Sequence, residues 1–76
     1  IDVRGEEEYA AGHIPGSVNI PLNSLASADI DGEKLLFVYC KSGKRSARAC
    51  AFLQLQGYAC ENIGGFDDYT GEVERR

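Results

Sequence analysis

One segment concentrates groups that could do chemistry: Cys40-Lys41-Ser42-Gly43-Lys44-Arg45-Ser46. A cysteine acts as a nucleophile only as its thiolate, and thiol pKa falls at a helix N-terminus or beside Lys and Arg. Lys41, Lys44, Arg45 and Arg48 fall within eight residues of an otherwise acidic chain. They could draw in an anionic substrate. Gly43 lets the backbone bend where a side chain would clash. A loop of this kind, running from a strand into a helix, turns successive N–H groups inward and makes a cradle for an anion. Cys40 at its mouth is therefore the candidate nucleophile. The alternative is a small buried hydrophobe ending a strand, which leaves the adjoining glycine, cations and hydroxyls without a role.

The remaining candidates read as structural. Cys50 falls in an apolar helix and Cys60 in a strand, so both are expected to be inert core thiols. His13 could act as a base, but Gly12-His13-Ile14-Pro15-Gly16 favours a turn in which the ring bonds to backbone. Asp2 and Arg4 read as an ion pair anchoring a strand end. With three widely spaced cysteines and one histidine, neither a zinc site nor a disulfide scaffold is expected. A reducing, cytoplasmic setting is the expectation.

The elements that must position Cys40 follow from the pattern. Leu35–Tyr39 is a continuous apolar run, expected as a strand buried on both faces. Ser46–Gln56 reads as a largely buried helix, with Ser46 as N-cap and Gly57 just past its end. Upstream, Ile1–Val3 is a short strand, and Glu6 to Glu8 open a short helix ending near Gly12. Ser17–Ile20 is a second strand closed by Pro21, and residues 23–27 make a brief helix. Asp31-Gly32 is a turn. Ala59–Ile63 is a last strand, Gly64-Gly65 a flexible turn, and the tail from Phe66 a short helix or irregular. Strands alternating with helices imply an α/β domain with a central parallel sheet. In such sheets ligands bind beyond the carboxyl ends of the strands, where Cys40 lies.

A length of 76 residues suits one domain, residues 1–76. The net charge of -4 argues against nucleic-acid binding, which needs a basic footprint. No apolar run approaches the roughly 18 to 20 residues of a membrane helix. The start inside an apparent strand suggests a piece of a larger protein.

Taken together, the chain resembles the rhodanese-like domain family. Ile1-Asp2-Val3-Arg4, Glu8-Tyr9 and Gly12 to Pro21 resemble its first signature. Val38 to Ser46 resembles its active loop, and Leu53, Gly57-Tyr58 and Ile63-Gly64-Gly65-Phe66 its closing pattern. The resemblance implies a parallel sheet with the Leu35–Tyr39 strand between those at Ile1 and Ala59, and a missing N-terminal edge segment. It implies sulfur transfer through a persulfide on Cys40, from thiosulfate or a similar anionic donor to a thiol or cyanide, with no metal or organic cofactor required. Ser42, Gly43, Lys44 and Arg45 would supply the amide cradle. Lys41, Lys44 and Arg45 would supply charge, with Ser46 capping the helix within reach of the sulfur. The four residues Lys41 to Lys44 resemble the shorter loop of sulfurtransferases. Related phosphatases and arsenate reductases carry five residues between Cys and Arg. Two other readings accompany this one: a non-catalytic regulatory or interaction module fused to an enzyme such as a disulfide reductase, and a phosphatase or arsenate reductase.

Overall fold

The computed structural model describes residues 1–30 and 32–75. The chain runs through α1 (Glu6–Ala11), a 3-10 turn at Leu22–Ser27, β1 (Leu36–Cys40), α2 (Lys44–Leu55), β2 (Cys60–Gly65) and a second 3-10 turn at Phe66–Asp68. β1 and β2 pair in parallel, from Leu36 opposite Cys60 to Cys40 opposite Gly65, with an irregularity between Val38 and Tyr39. Asp2 extends this ladder by parallel bridges to Tyr39 on one side and Asn19 on the other. Four parallel segments thus lie side by side, and β1 separates Ile1–Val3 from β2, the order expected from the family resemblance. The segments expected as strands at Ile1–Val3 and Ser17–Ile20 are reduced to single bridges. They are held by Val3 N–H to Tyr39 O (3.0 Å), Tyr39 N–H to Ile1 O (2.9 Å) and Ile20 N–H to Asp2 O (2.9 Å).

The core is Val3, Leu25, Val38, Cys40, Ala49, Cys50, Leu53 and Cys60. On α2 the buried residues are Ser46, Ala49, Cys50 and Leu53, spaced as one face of a helix. Ala47, Ala51 and Leu55 form the opposite, exposed stripe, and Leu55 is 85% exposed. The helix is therefore half buried rather than largely buried. Its alanines make the solvent face look apolar without needing cover. The same correction applies to β1. Val38, Tyr39 and Cys40 are buried, while Phe37 is 47% exposed and Leu35 precedes the strand. Alternate side chains of a strand face opposite sides. Leu36, Val38 and Cys40 join the core beneath α2, and Phe37 faces away from it, opposite Glu61.

Two helix ends bear on the site. α2 starts at Lys44, not Ser46, with Gly43 as N-cap at φ 93°. This left-handed conformation is open to glycine at little steric cost, and it turns the chain from the end of β1 straight into the helix. At the far end Gly57 N–H bonds Gln54 O (3.1 Å) and Tyr58 N–H bonds Leu53 O (3.0 Å). This is the paired closure expected of a glycine just past a helix. The flexible turn expected at Gly64-Gly65 is instead the last part of β2. Of the turn expected at Asp31-Gly32, Asp31 lies outside the described residues.

Candidate active site

Cys40 is the last residue of β1 and is 0% exposed. The chain leaves the strand, passes Lys41 and Ser42 on the surface, and re-enters as α2 at Gly43. Gly43 N–H donates to Cys40 Sγ at 3.0 Å, and the Ser46 hydroxyl stands 3.5 Å from the same sulfur. Burial raises the thiol pKa. The Ser46 hydroxyl and the amides of Ser46, Gly43 and Ser42 outweigh it, and the net effect is to lower the pKa. The first N–H groups of a helix have no partner within the helix. Here the sulfur accepts from them.

That arrangement explains why Ser46 is not the N-cap. Its hydroxyl lies one turn into the helix, 2.6 Å from Asn62 Oδ1 and 3.1 Å from Gly43 O. The serine is wholly buried against β2 rather than closing the helix end.

The loop is also held from behind. Asp67 N–H donates to Lys41 O at 3.1 Å. Gly65 lies so close to the loop that a Cβ there would stand 2.8 Å from Ser42 Cα and would also collide with Lys41 O. Next to Gly64 and Gly65 a cleft of about 330 Å³ opens between Ile14, Tyr39, Ile63 and Tyr69, and Cys40 is not among its walls.

The three thiols differ in surroundings. Burial, then the neighbouring Cys50 thiol, pushes Cys60 up to about 12. All three are free, but only Cys40 is surrounded by donors that favour its anion. Residues 1–72 match the sequence profile of the rhodanese-like domain. The chain belongs to the rhodanese-like domain family.

Its relatives include the thiosulfate sulfurtransferase PspE of Escherichia coli, 40% identical over 73 residues, 90% of this chain and 70% of the relative. The adenylyltransferase and sulfurtransferase uba4 of Ogataea parapolymorpha is 34% identical across 97% of this chain, which spans only 20% of that protein. The putative sulfur carrier protein YrkF of Bacillus subtilis is 35% identical across 97% of this chain and 42% of its own length. Among solved structures, a rhodanese from E. coli described with anions superposes with TM-score 0.86 at 35% identity, covering 99% of this chain and 94% of the other. A rhodanese-like domain protein from Staphylococcus aureus gives 0.91 at 29%, covering 99% and 78%.

In this rhodanese-like domain, the residues singled out from the sequence come together with one qualification. Cys40, Gly43 and Ser46 meet at the sulfur, and Ser42 contributes an amide. Lys41 and Lys44 are exposed at the loop. Arg45 turns instead to α1, where its two terminal nitrogens lie 2.8 and 2.9 Å from the Glu8 carboxylate oxygens. Its charge is paired with a carboxylate, though the pair stays partly exposed. His13 bonds to backbone as expected, its Nδ1 lying 2.7 Å from Tyr9 O in α1 and its ring stacked on Tyr9 at 3.7 Å, but it sits in an antiparallel bridge to Glu74 rather than in a turn. Asp2 and Arg4 form a buried bidentate pair, and Arg4 also reaches Gly12 O. Two residues at the site were not anticipated: Glu8, which holds Arg45, and Asn62, which holds Ser46 and Gly43. A glutamate three positions after a helix N-cap is a legible capping signal. Its reach to Arg45, and the place of Asn62, depend on the packing of distant segments.

Proposed function

We propose that residues 1–76 act as one sulfurtransferase domain, moving a sulfane sulfur from an anionic donor such as thiosulfate to a thiol or cyanide through Cys40. The Cys40 thiolate attacks the outer sulfur of thiosulfate. The sulfur–sulfur bond of the donor breaks, and sulfite leaves with its electron pair. Cys40 then carries a persulfide. An acceptor thiolate or cyanide attacks the terminal sulfur, and Cys40 returns as thiolate. The observation that carries this reading is the Cys40 sulfur itself: deeply buried, yet with amides and a hydroxyl lowering its thiol pKa. Such preorganised donors stabilise an anionic sulfur in both the resting and the persulfide form.

In this reading Ser42, Gly43, Lys44 and Arg45 supply amides, Ser46 adds a hydroxyl, and Lys41 and Lys44 attract the anionic donor. The Arg45 side chain shapes the loop through Glu8. No metal or organic cofactor takes part, and a reducing compartment such as the cytoplasm suits the three free thiols. Matching segments within longer relatives, one named a sulfur carrier and one an adenylyltransferase and sulfurtransferase, support a partner or fused protein as the source or recipient of sulfur.

The test is thiosulfate:cyanide sulfurtransfer, read as thiocyanate, with Cys40→Ser beside the wild type. The expected result is turnover by the wild type only, with a mass gain of one sulfur on the wild type after thiosulfate alone. A folded wild type showing neither result sinks the proposal. A second reading, a non-catalytic interaction module, draws on one observation: Cys40 is wholly enclosed. Failure of an excess of small alkylating reagent to modify Cys40 near neutral pH would favour it.

A further inference from the structure

The Ser46 hydroxyl has one hydrogen and four acceptors within reach. They are Asn62 Oδ1 at 2.6 Å, Gly43 O at 3.1 Å, and Cys40 Sγ and Gly64 O, each at 3.5 Å. A hydroxyl donates to one good acceptor at a time. Asn62 Oδ1 is the nearest acceptor, and a neutral thiol sulfur is a weak one.

The side-chain amide of Asn62 is itself fixed in orientation. Its Oδ1 accepts Gly64 N–H at 3.0 Å, and its Nδ2 donates to Gly43 O at 3.2 Å. Exchanging oxygen and nitrogen would set donor against donor at Gly64 and acceptor against acceptor at Gly43. The oxygen must therefore face Ser46. Although Asn62 lies on the exposed part of β2, it bonds both the Ser46 hydroxyl and the Gly43 carbonyl.

The geometry points to Asn62 as a positioning residue that controls the Cys40 thiolate through Ser46. While Cys40 is a thiol, the Ser46 proton rests on Asn62 Oδ1. When the sulfur carries charge, as thiolate or persulfide, the hydroxyl turns to it, because a hydrogen bond to an ion is roughly twice as strong as one between neutral groups. Asn62 Oδ1 keeps its bond from Gly64 N–H throughout, so no buried acceptor is stranded. Asn62 thus competes with the sulfur for one proton and holds the thiol pKa higher than Ser46 alone would set it. The inference deepens the sulfur-transfer reading and rests on it for the meaning of the charge. The thiolate equilibrium can be measured without any sulfur donor.

The test is the pH titration of Cys40 by ultraviolet thiolate absorbance, taken as a difference against Cys40→Ser. Ser46→Ala should raise the midpoint. Asn62→Ala should lower it by about half a unit to one unit, the size of one hydrogen bond. In the Ser46→Ala background, Asn62→Ala should produce no such fall. An unchanged midpoint in Asn62→Ala, or an equal fall with Ser46 absent, overturns the inference. Asn62→Asp keeps both accepting interactions but sets a carboxylate oxygen against Gly43 O and adds a charge that raises the midpoint by itself, so the rise should be larger with Ser46 present than in the Ser46→Ala background. If Asn62→Ala does not fold, a rise in Asn62→Asp that is the same with and without Ser46 overturns the inference instead. Loss of thiosulfate turnover with these shifts intact would sink only the functional reading.

Discussion

Arg45 and Glu8, 37 positions apart, meet as a fork: Nη1 lies 2.8 Å from Oε1 and Nη2 2.9 Å from Oε2. Arg45 lies in the first turn of α2, the positive end of the helix, where a cation is poorly placed. Glu8 offsets that charge and also accepts Gly5 N–H at 3.0 Å, closing the start of α1. One carboxylate thus caps one helix and restrains the loop that opens the other.

The Arg45 hydrogen bond is the main cause holding Glu8 down at about 2, against an ordinary 4.5. A depressed carboxylate gives stability that is fully present above its unfolded pKa and lost as pH falls through its folded one. Glu8→Gln should therefore lower stability by a constant amount above pH 4.5, with the gap to wild type closing as pH falls toward 2. Both side chains are more than a third exposed, so the constant part should be below about 1 kcal/mol. Thermal unfolding of the two proteins across this range measures it, and a gap that widens in acid would contradict the pairing.

Gly65 is the close-approach point between β2 and the active loop. A methyl group there would meet Lys41 O and the Ser42 backbone, and neither is a flexible side-chain end. Gly65→Ala should cost about 1–3 kcal/mol as overpacking and push the loop outward. Sulfur transfer should fall further than stability does. Comparing turnover and denaturation midpoints with those of Gly57→Ala provides the control. Gly57 also has positive φ, but its Cβ would meet open space, far along the chain from the loop.

Asp2 is 0% exposed and takes its charge partner from Arg4, whose Nη2 lies 2.7 Å away. Removing one member of a buried pair typically costs about 3–5 kcal/mol, because the other charge is left unpaired. Domains of this size have little stability to spare, so Arg4→Ala should be largely unfolded at room temperature. Circular dichroism decides it, and a cooperative transition near that of the wild type would show that the pair is dispensable.

With its thiol pushed up to about 12, Cys60 should stay neutral at pH 8. It should resist iodoacetamide in the folded protein and react only after denaturation. Peptide mass mapping reads the sites directly. Fast labelling of Cys60 under native conditions would mean that the core opens locally beneath β2.

Much of this was legible in the residue order. The short range carries the active loop: a cysteine ending an apolar run, a glycine able to take positive φ, and a polar stretch leading into a helix. It also carries the ends of both α-helices to within two residues, the bond from the His13 ring to backbone and the Asp2–Arg4 pair, because these involve neighbours a few positions apart. Tertiary packing decided the rest. It placed Gly43 rather than Ser46 at the helix start, because the free amides have a sulfur to bind instead of a side-chain cap. It exposed Phe37 and Leu55, because Phe37 faces away from α2 and Leu55 lies on the outer side of that helix, while Tyr39 on the Phe37 face is buried. It turned Gly64 and Gly65 from an expected loop into strand, because β2 must run alongside Cys40 to support the loop. Glu8 and Asn62 entered the site the same way. Their partners lie 37 and 16 positions away, and no local periodicity encodes which distant groups a parallel crossover will bring together.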